Sequence, residues 1–433
     1  ENDQYLPRIK WTKNPEILSV QRLNRLQNKW ELLMVTGTSV EPSLLEEDKY
    51  YVDITDDIYY LNDQQHMIVS SESDGYKHLY FHKVNGPRIY QITKGNWEVD
   101  QVLGVDQVNE KIYYTSTEVH PTERHVYSID FQGKNKTRLS TESGWHTAQF
   151  NNDFSYALHS YTSITQPHKY VLRNANWETV RVVEDNAEFV KRNAEFTQGD
   201  VTFDAVDVNG VLLNYWMIKP ANFDATKKYP MLMHVYGGPG SQTVKNSFGY
   251  SNYFWHQLLA NKYGIVIVSV DNRGTGARGA EFKKMTYKQL GKYETEDQIG
   301  AAKELGKLDF IDQERLGIWG WSYGGYMSSL ALAKGNDVFK MAIAVAPVTN
   351  WRFYDNVYTE RYMGLPQDNG DGYDQNSPIN FVNDIKGKYL IVHGTGDDNV
   401  HFQNTVMMVD EMIKNNVPFD SELYPNKNHG IYG

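Results

Sequence analysis

The sequence contains no cysteine, which excludes disulfide bonds, a thiol nucleophile and structural zinc sites built from cysteine. It also lacks any apolar run approaching the about 18 residues that a membrane-spanning helix needs. Blocks of lysine and arginine are absent as well, and the net charge is −11. Nucleic acid and anionic membrane surfaces are therefore poor candidates for partners.

The first part of the chain has the texture of an all-β region. A chain of 433 residues has room for two domains with substantial cores. Short runs rich in Tyr, Val, Ile and Thr alternate with polar turns such as Asn85-Gly86, as in antiparallel hairpins. Similar segments around Tyr80, Tyr127 and Tyr170 recur about 45 residues apart, which is the period of a propeller blade. We therefore predict a partial β-propeller of about four blades over residues 1–194.

A reactive serine is indicated by Gly320-Trp321-Ser322-Tyr323-Gly324, which follows a short apolar run at 316–319 that predicts a buried strand. A Gly-x-Ser-x-Gly sequence between a strand and a helix is typical of a nucleophile elbow, where small residues flank a serine in a strained turn. The helix predicted over 326–333 would direct its first N–H groups toward an anion formed there. Ser322 is the candidate nucleophile.

A serine hydroxyl needs a general base, and the base needs a group that orients it. A strand predicted over 389–393 runs into a loop with Asp397 and Asp398, and a later predicted strand leads to His429. The order Ser, Asp, His, with acid and base just beyond strand ends, is that of α/β-hydrolases. We predict such a domain over 195–433, and the residues alone leave open which aspartate orients the imidazole.

Four segments resemble the dipeptidyl peptidase IV family, a branch of the prolyl oligopeptidase family of serine peptidases: the elbow, 345–351, 358–366 and 393–403. The similarity covers the chain from about Val201 onward and continues more weakly upstream. In that family the first of the two aspartates is the triad acid, so the resemblance favours Asp397. It implies a chain of α/β and all-β parts, with a C-terminal α/β-hydrolase domain preceded by part of a β-propeller. It also implies neither a metal nor a cofactor.

The resemblance also assigns an oxyanion hole and a substrate pocket. The hydroxyl of Tyr236 and the backbone N–H of Tyr323 would bind the oxyanion. Flat rings around a small cavity would suit a proline ring before the scissile bond. Asn399 would donate to the carbonyl of the substrate's N-terminal residue, and Tyr354 would lie near its amine. The implied pocket residues are Tyr323, Val348, Trp351, Tyr354, Tyr358 and Val400. Helical spacing alone would instead place Trp351, Tyr354 and Tyr358 in a helix core.

The function that this resemblance implies is a serine exopeptidase releasing dipeptides from peptides with proline, or less readily alanine, as the second residue. Alternatives are a prolyl tripeptidyl peptidase, an acylaminoacyl peptidase, a carboxylester hydrolase and a catalytically silent binding homologue. Beside the family pattern the chain looks like a fragment that lacks N-terminal blades and a final helix. The family's paired glutamates for the substrate amine are not assigned, because Glu46-Glu47 lies in what resembles a later blade. A homodimer and a periplasmic or extracellular location are further expectations, although no signal peptide is visible.

Three other patterns have simpler interpretations. The run Gly274-Thr275-Gly276-Ala277-Arg278-Gly279 matches a dinucleotide fingerprint, but three polar residues separate it from its strand and no helix is predicted at its last glycine. A metal site is weakly supported, because a strand histidine and adjacent aspartates need not converge. The residues in question are His393, Asp397, Asp398 and His401. Glu294, Glu296 and Asp297 are interpreted as an acidic first turn of a helix that ends near Leu305.

Overall fold

The computed structural model describes residues 3–250 and 252–432. The chain divides into two compact units. Unit 1 comprises the chain up to Lys191 together with Lys245–Gly249 and Ala277–Glu281. Unit 2 comprises the remainder, Arg192–Val244, Tyr250–Gly276 and the chain from Phe282 onward. No helix among the described residues is both long and apolar enough to cross a membrane.

Unit 1 is built from antiparallel strands. Within the described residues they form four sheets, each of four strands that follow one another in the chain. This arrangement confirms the prediction of a propeller-like region with about four blades. The strands are β1 (Gln4–Trp11), β2 (Leu18–Asn24), β3 (Lys29–Thr36), β4 (Ser39–Glu47), β5 (Ile58–Tyr60), β6 (His66–Ser71), β7 (His78–Lys83), β8 (Arg88–Gln91), β9 (Val99–Asp106), β10 (Lys111–Ser116), β11 (His125–Asp130), β12 (Thr137–Arg138), β13 (Trp145–Phe150), β14 (Tyr156–Ser163), β15 (Gln166–Asn174) and β16 (Thr179–Glu184).

Apolar side chains bury the faces of successive sheets against one another. Trp30 and Leu32 of the first sheet share a cluster with Met67 and Val69 of the second. The other face of the second sheet contributes to a cluster that continues into the third, and it includes the stacked rings of Trp97 and Tyr114. Apolar residues alternate along the strands because successive side chains point to opposite faces of a sheet, and each sheet packs on a neighbouring sheet.

Unit 2 contains one sheet of eight strands in the order β17-β18-β20-β19-β21-β22-β23-β24. Strand β18 runs antiparallel to both of its neighbours, and the pairs from β20 through to β24 are parallel. This is the α/β-hydrolase architecture that was predicted. The strands are β17 (Val201–Val208), β18 (Val211–Ile218), β19 (Tyr229–His234), β20 (Val266–Val270), β21 (Ile311–Trp321), β22 (Met341–Val345), β23 (Lys388–Gly394) and β24 (Asp420–Tyr424).

Helices connect the parallel strands. Helix α5 is buried along most of its length because its small residues allow close packing, and two of its serine hydroxyls donate to carbonyls one turn earlier. Short 3₁₀ segments lie at Trp351–Phe353 and Pro378–Asp384. The helices of the whole chain are α1 (Ala187–Asn193), α2 (Tyr253–Tyr263), α3 (Ala280–Lys284), α4 (Lys292–Gly306), α5 (Tyr323–Lys334), α6 (Asn356–Met363), α7 (Gly370–Asp374) and α8 (Gln403–Lys414).

Candidate active site

The predicted reactive residues gather at one edge of the unit 2 sheet. Tyr236 follows β19, Ser322 follows β21, Asp397 follows β23 and His429 follows β24. These strands belong to the parallel part of the sheet, so their carboxyl ends point the same way and the loops beyond them adjoin. Residues that are up to about 190 positions apart in sequence therefore share one edge.

Ser322 has the backbone strain of an elbow. Its φ is 61° and its ψ is −117°, and its N–H donates to the carbonyl of Val345 at 2.8 Å. A Cβ on Gly324 would lie 2.1 Å from the carbonyl oxygen of Val235, and one on Gly320 would lie 2.3 Å from the same atom. The glycines are required because the turn presses against the backbone just after β19. The strain holds Ser322 at the tip of the turn.

Asp397 and His429 form a hydrogen-bonded pair. His429 Nδ1 lies 2.7 Å from Asp397 Oδ2, and the carboxyl side chain is fully buried whereas the imidazole is 22% exposed. A carboxylate accepts here, so Nδ1 carries the proton and Nε2 is the basic atom. The indole N–H of Trp321 donates to the carbonyl of His429 at 3.0 Å, which ties this segment to the elbow. Within the part of the chain that the structure describes, no hydrogen bond is made by the Ser322 hydroxyl.

The structure distinguishes the two aspartates that the sequence left open. Asp398 is exposed, whereas Asp397 is turned inward and its Oδ1 accepts the N–H groups of Asn399 at 2.9 Å and Val400 at 3.0 Å. These backbone donors orient the carboxylate so that Oδ2 faces the imidazole. Asp397 is therefore the residue that the fold brings to His429.

His393 is a site residue that sequence reasoning treated only as a weak metal ligand. Its Nε2 lies 3.1 Å from Asp397 Oδ2 and 2.9 Å from the carbonyl oxygen of Val400, and its Nδ1 lies 2.7 Å from the hydroxyl of Thr405. Because both neighbours of Nε2 are acceptors, that nitrogen carries the proton and donates. Burial lowers the pKa of His393, which favours this neutral form. A histidine at the next-to-last position of a strand whose loop carries the acid is the signal that could have found it.

The loop after β19 brings Tyr236 to the elbow. The ring centroids of Tyr236 and Tyr323 are 6.0 Å apart, and Gly238 lies between them, since a Cβ there would be 3.0 Å from one ring and 3.1 Å from the other. Burial raises the pKa of the Tyr236 phenol, although the residue as a whole is 38% exposed. The hydroxyl thus keeps its proton at neutral pH and can donate to an anion.

The predicted pocket residues form one aromatic cluster. Trp351 lies 5.4 Å from Tyr323, 5.9 Å from Tyr354 and 5.9 Å from Tyr358, measured between ring centroids. Val348 and Val400 are buried as well, at 2% and 0% exposure. The Tyr354 hydroxyl donates to Asn399 Oδ1 at 2.7 Å. That bond leaves the amide nitrogen of Asn399 available as a donor.

The helical-core interpretation of these aromatic residues is wrong. Trp351 lies in the first 3₁₀ segment and Tyr358 in α6, and extended backbone at Tyr354 and Asp355 separates the two elements. The Asp355 side chain caps α6 by accepting the N–H of Tyr358 at 2.9 Å. The rings meet because the chain bends at the cap and not because they share one helical face.

Glu294 is more than a residue of an acidic helix turn. It is completely buried, its Oε2 accepts the N–H of Gly291 at 3.0 Å, and its Oε1 accepts the hydroxyl of Tyr323 at 2.7 Å. Burial raises the pKa of Glu294 to about 7. Asp297, in contrast, is paired with Arg273 at 2.6 Å. The sequence showed the carboxylates but not the direction in which each points.

The remaining motifs have structural explanations. A short helix, α3, does begin directly after Gly279, so the expectation that no helix opens there is wrong. Its first amides are already used, since Gly279 N–H donates to Glu98 at 2.7 Å and Ala280 N–H donates to Gly75 at 2.8 Å. Among the described residues, no group of three or more His, Asp or Glu side chains is placed to hold a metal ion.

A largely apolar cavity of ≈ 390 Å³ lies elsewhere in unit 2. It opens near the amino ends of β19, β21 and β22, at the end of these strands opposite to the elbow. Its charged lining residues are Glu314, Arg315 and Lys340, and it contains none of the candidate residues. The chemistry is therefore assigned to the loop edge and not to this cavity.

Comparison with known proteins gives a consistent picture. Residues 251–433 match the family described as the prolyl oligopeptidase family, and residues 1–168 match the dipeptidyl peptidase IV N-terminal region. A probable dipeptidyl-aminopeptidase B of Arthroderma otae is 40% identical over 83% of this chain and 40% of its own length. Dipeptidyl peptidase 4 of Trichophyton equinum is 33% identical over all of this chain and 58% of its own length.

The solved dipeptidyl peptidase 4 of Porphyromonas gingivalis superposes with a TM-score of 0.96 at 40% identity, covering all of this chain and 62% of that one. The chain thus spans about half the length of the curated relatives it matches, between 40% and 58% in the examples above. The two matched regions correspond to the two kinds of architecture described above. The hydrolase part of the chain matches the prolyl oligopeptidase family, and the chain is similar to dipeptidyl peptidase IV in both its propeller-like and its hydrolase parts.

Proposed function

We propose that this protein is a serine exopeptidase that releases N-terminal dipeptides from peptides with proline, or less readily alanine, as the second residue. Ser322 attacks the carbonyl carbon while His429 Nε2 takes its proton, and Asp397 holds the imidazole through Nδ1. The imidazolium then gives that proton to the leaving amine, and a dipeptidyl ester on Ser322 remains. Water, activated by the same imidazole, hydrolyses the ester and restores the serine.

The observation that carries the proposal is the 2.7 Å hydrogen bond between Asp397 and His429 at the sheet edge where the strained Ser322 also lies. It favours an imidazole with its basic nitrogen free, which is what a general base requires. A binding homologue without activity would have no need of a buried carboxylate on that nitrogen. Tyr236, which keeps its proton, and the N–H of Tyr323 would stabilise the oxyanion.

Specificity for proline is supported by the aromatic cluster around Trp351. Its rings and the buried Val348 offer a compact apolar wall, which suits a proline side chain that closes on its own nitrogen. The free amide N–H₂ of Asn399 could donate to the preceding carbonyl. The relatives named as dipeptidyl peptidases support the dipeptide as product. Homodimerisation and a periplasmic or extracellular location stay predictions.

The test is hydrolysis of a Gly-Pro-arylamide beside the same compound with its amino group blocked. Release of arylamine from the free-amine compound alone would support a dipeptidyl peptidase. Release from both would favour an acylaminoacyl or endopeptidase-like activity, and release only from a compound with one more residue would favour a tripeptidyl peptidase. Hydrolysis of simple aryl esters without any arylamide hydrolysis would favour a carboxylester hydrolase and contradict the proposal.

Ser322→Ala is expected to abolish turnover, because the residual rate of a triad enzyme without its nucleophile is lower by about 10⁶-fold. The matched control is Ser328→Ala, in the same helix, where the serine is completely buried and its hydroxyl donates to the Gly324 carbonyl at 2.7 Å. The control should retain activity and the unfolding temperature within a few degrees. Substantial arylamidase activity in purified Ser322→Ala would remove Ser322 from the mechanism.

A further inference from the structure

Glu294 stands out because it is a completely buried acid in direct contact with the proposed site. Its two oxygens accept two neutral donors, the backbone N–H of Gly291 and the phenol hydroxyl of Tyr323. The nearby cation Arg273 is engaged by Asp297, one turn along α4, at 2.6 Å. Burying a carboxylate against neutral donors costs free energy that a neutral side chain would avoid. Glu294 affects the proposed site through its hydrogen bond to Tyr323.

Tyr323 is the residue through which Glu294 reaches the chemistry. It directly follows Ser322, and its ring lies between Tyr236 at 6.0 Å and Trp351 at 5.4 Å. One end of this side chain is fixed by the strained elbow and the other by the 2.7 Å bond to Glu294 Oε1. With both ends held, the ring cannot swing into or away from the space beside Ser322.

We propose that Glu294 is a positioning residue that holds the Tyr323 ring as a wall of the pocket for the substrate residue before the scissile bond. This inference rests on the proposed function, since it concerns the pocket in which proline would bind. A ring freed from the carboxylate would sample other rotamers, and the substrate would lose part of a preformed surface. The expected cost is therefore mainly in substrate binding.

The protonation state of Glu294 should matter. The groups that face it are Tyr323 and Tyr326 of α5, Tyr358 of α6, and Asp297 on its own helix. The ionised carboxylate accepts from both Gly291 and Tyr323. A protonated carboxyl has no charged acceptor, and its own O–H can donate to Tyr323 only if the Tyr323 hydroxyl rotates and gives up its present bond. With a pKa of about 7, the carboxyl protonates as pH falls through neutrality. The hydrogen bond that holds Tyr323 on Glu294 should therefore weaken as the pH falls through neutrality.

The experiment compares Glu294→Gln with Glu296→Gln, which removes a half-exposed acid of the same helix turn. With Gly-Pro-arylamide, Glu294→Gln should raise KM about tenfold and lower kcat less than about threefold, because it removes the charged acceptor of the Tyr323 hydroxyl. In the wild type, KM should rise as pH falls from 8 to 6, and Glu294→Gln should remove that dependence. Glu296→Gln should behave like the wild type in both respects.

A second variant covers the case in which Glu294→Gln does not fold. Tyr323→Phe keeps the ring and removes the hydroxyl, so it should raise KM by a similar factor and flatten the same pH dependence. If the double variant can be made, its KM should be no higher than that of Tyr323→Phe alone, because both changes break one bond. Unchanged KM and pH dependence in Tyr323→Phe or Glu294→Gln would overturn the inference.

Covalent labelling of Ser322 by an alkyl fluorophosphonate separates this inference from the proposed function. A wild type that is labelled but does not cleave Gly-Pro-arylamide would contradict the proposed substrate only. The inference is then judged by the labelling rate. As the pH is lowered, this rate should fall more steeply in the wild type than in Glu294→Gln. Equal pH profiles would overturn it. A wild type that is neither labelled nor active would overturn both.

Discussion

Asp397 shows how much of the site depends on the surroundings of one side chain. Its Oδ1 accepts two backbone N–H groups of its own loop, and its Oδ2 accepts from His429 and His393. Charge-assisted bonds of this kind fix a carboxylate more firmly than neutral ones do. The imidazole of His429 is held by that fixed carboxylate. We therefore expect the donor from His393 to contribute to the proposed catalysis without touching substrate.

His393→Phe should lower kcat about tenfold and leave KM nearly unchanged, because loss of an outer hydrogen bond typically costs that much when it orients a group of the site. The phenyl ring is larger than the buried imidazole and makes no hydrogen bond to Thr405 or Val400, so thermal unfolding of the variant is measured beside its kinetics. His401→Phe is the control, since His401 lies exposed on the same loop. The test compares kcat and KM of both variants by steady-state kinetics. Equal kcat values in the two variants would show that Asp397 does not need the His393 donor.

Tyr236→Phe should lower kcat by about 100- to 1,000-fold with a smaller change in KM, because the phenol donates only to charge that forms in the transition state. The wild-type phenol is protonated throughout the neutral range, since burial raises its pKa. The loss should therefore be the same at pH 7 and pH 8. A variant that loses less than threefold in kcat would show that the oxyanion is bound elsewhere.

Individual residues could be predicted where a sequence motif includes them. They were missed where their role depends on the direction in which the side chain points. Ser322, Asp397 and His429 follow from the elbow, the strand ends and the family resemblance. No motif names His393 or Glu294. Only the place of His393 near the end of its strand gives a signal, because the choice between a strand's two faces or a helix's inner and outer side depends on packing partners far away in sequence. Asp397 and Asp398 are adjacent and chemically equivalent until two loop amides select one of them.

The elbow is an element whose shape requires glycine. The turn after β21 passes so close to the end of β19 that a Cβ on Gly324 would lie 2.1 Å from the Val235 carbonyl oxygen. A backbone atom cannot move aside as a flexible side chain can. This contact places the serine, the start of α5 and the Tyr236 loop in one rigid arrangement.

Gly324→Ala should destabilise unit 2 by about 3 kcal/mol, the upper range for overpacking, and abolish activity. The loss corresponds to a fall in Tm of about 6 to 12 °C. Gly306→Ala is the matched control, because its Cβ would meet nothing closer than 3.6 Å and alanine favours a helix. Thermal unfolding and arylamidase assays of both variants provide the test. A Gly324→Ala protein with wild-type Tm would contradict the tight approach.

The elements themselves were largely predictable. The strand predicted at 389–393 lies within β23, and the helix predicted at 326–333 lies within α5, because buried parallel strands and their following helices have strong periodic signals. The aromatic segment after β22 was harder. Trp351 and Tyr358 have helical spacing, and only the capping role of Asp355 breaks the helix between them.

On the scale of the whole molecule, the period of about 45 residues predicted four blades correctly. The assignment of Lys245–Gly249 to unit 1 could not be predicted. Asn246 donates to the carbonyl of Thr122 at 2.8 Å and to the carboxylate of Glu123 at 3.1 Å, more than a hundred residues upstream. Loop residues have no periodic signal, so such long-range pairs become visible only in the fold.

Unit 1 contains a buried chain of hydrogen bonds that should make its stability depend on pH. Arg173 donates to His159 Nδ1 at 3.4 Å, His159 Nε2 donates to His146 Nδ1 at 3.0 Å, and His146 Nε2 donates to the Glu142 carbonyl at 2.8 Å. This sequence of donors fits two neutral imidazoles. A further proton on either ring would face a donor, and burial opposes the charge as well.

Burial lowers the pKa of His146 to about 4 and that of His159 to about 3, from 6.5. Between about pH 6.5 and 4 the unfolded chain binds more protons than the folded one, so the free energy of unfolding falls as pH falls, by up to about 1.4 kcal/mol per pH unit for each imidazole. His146→Gln should reduce that slope, and His401→Gln, which removes an exposed imidazole, should not. Urea unfolding of unit 1 between pH 5 and 8 measures this slope of the free energy of unfolding. Equal slopes in His146→Gln and the wild type would contradict the burial of a neutral histidine pair.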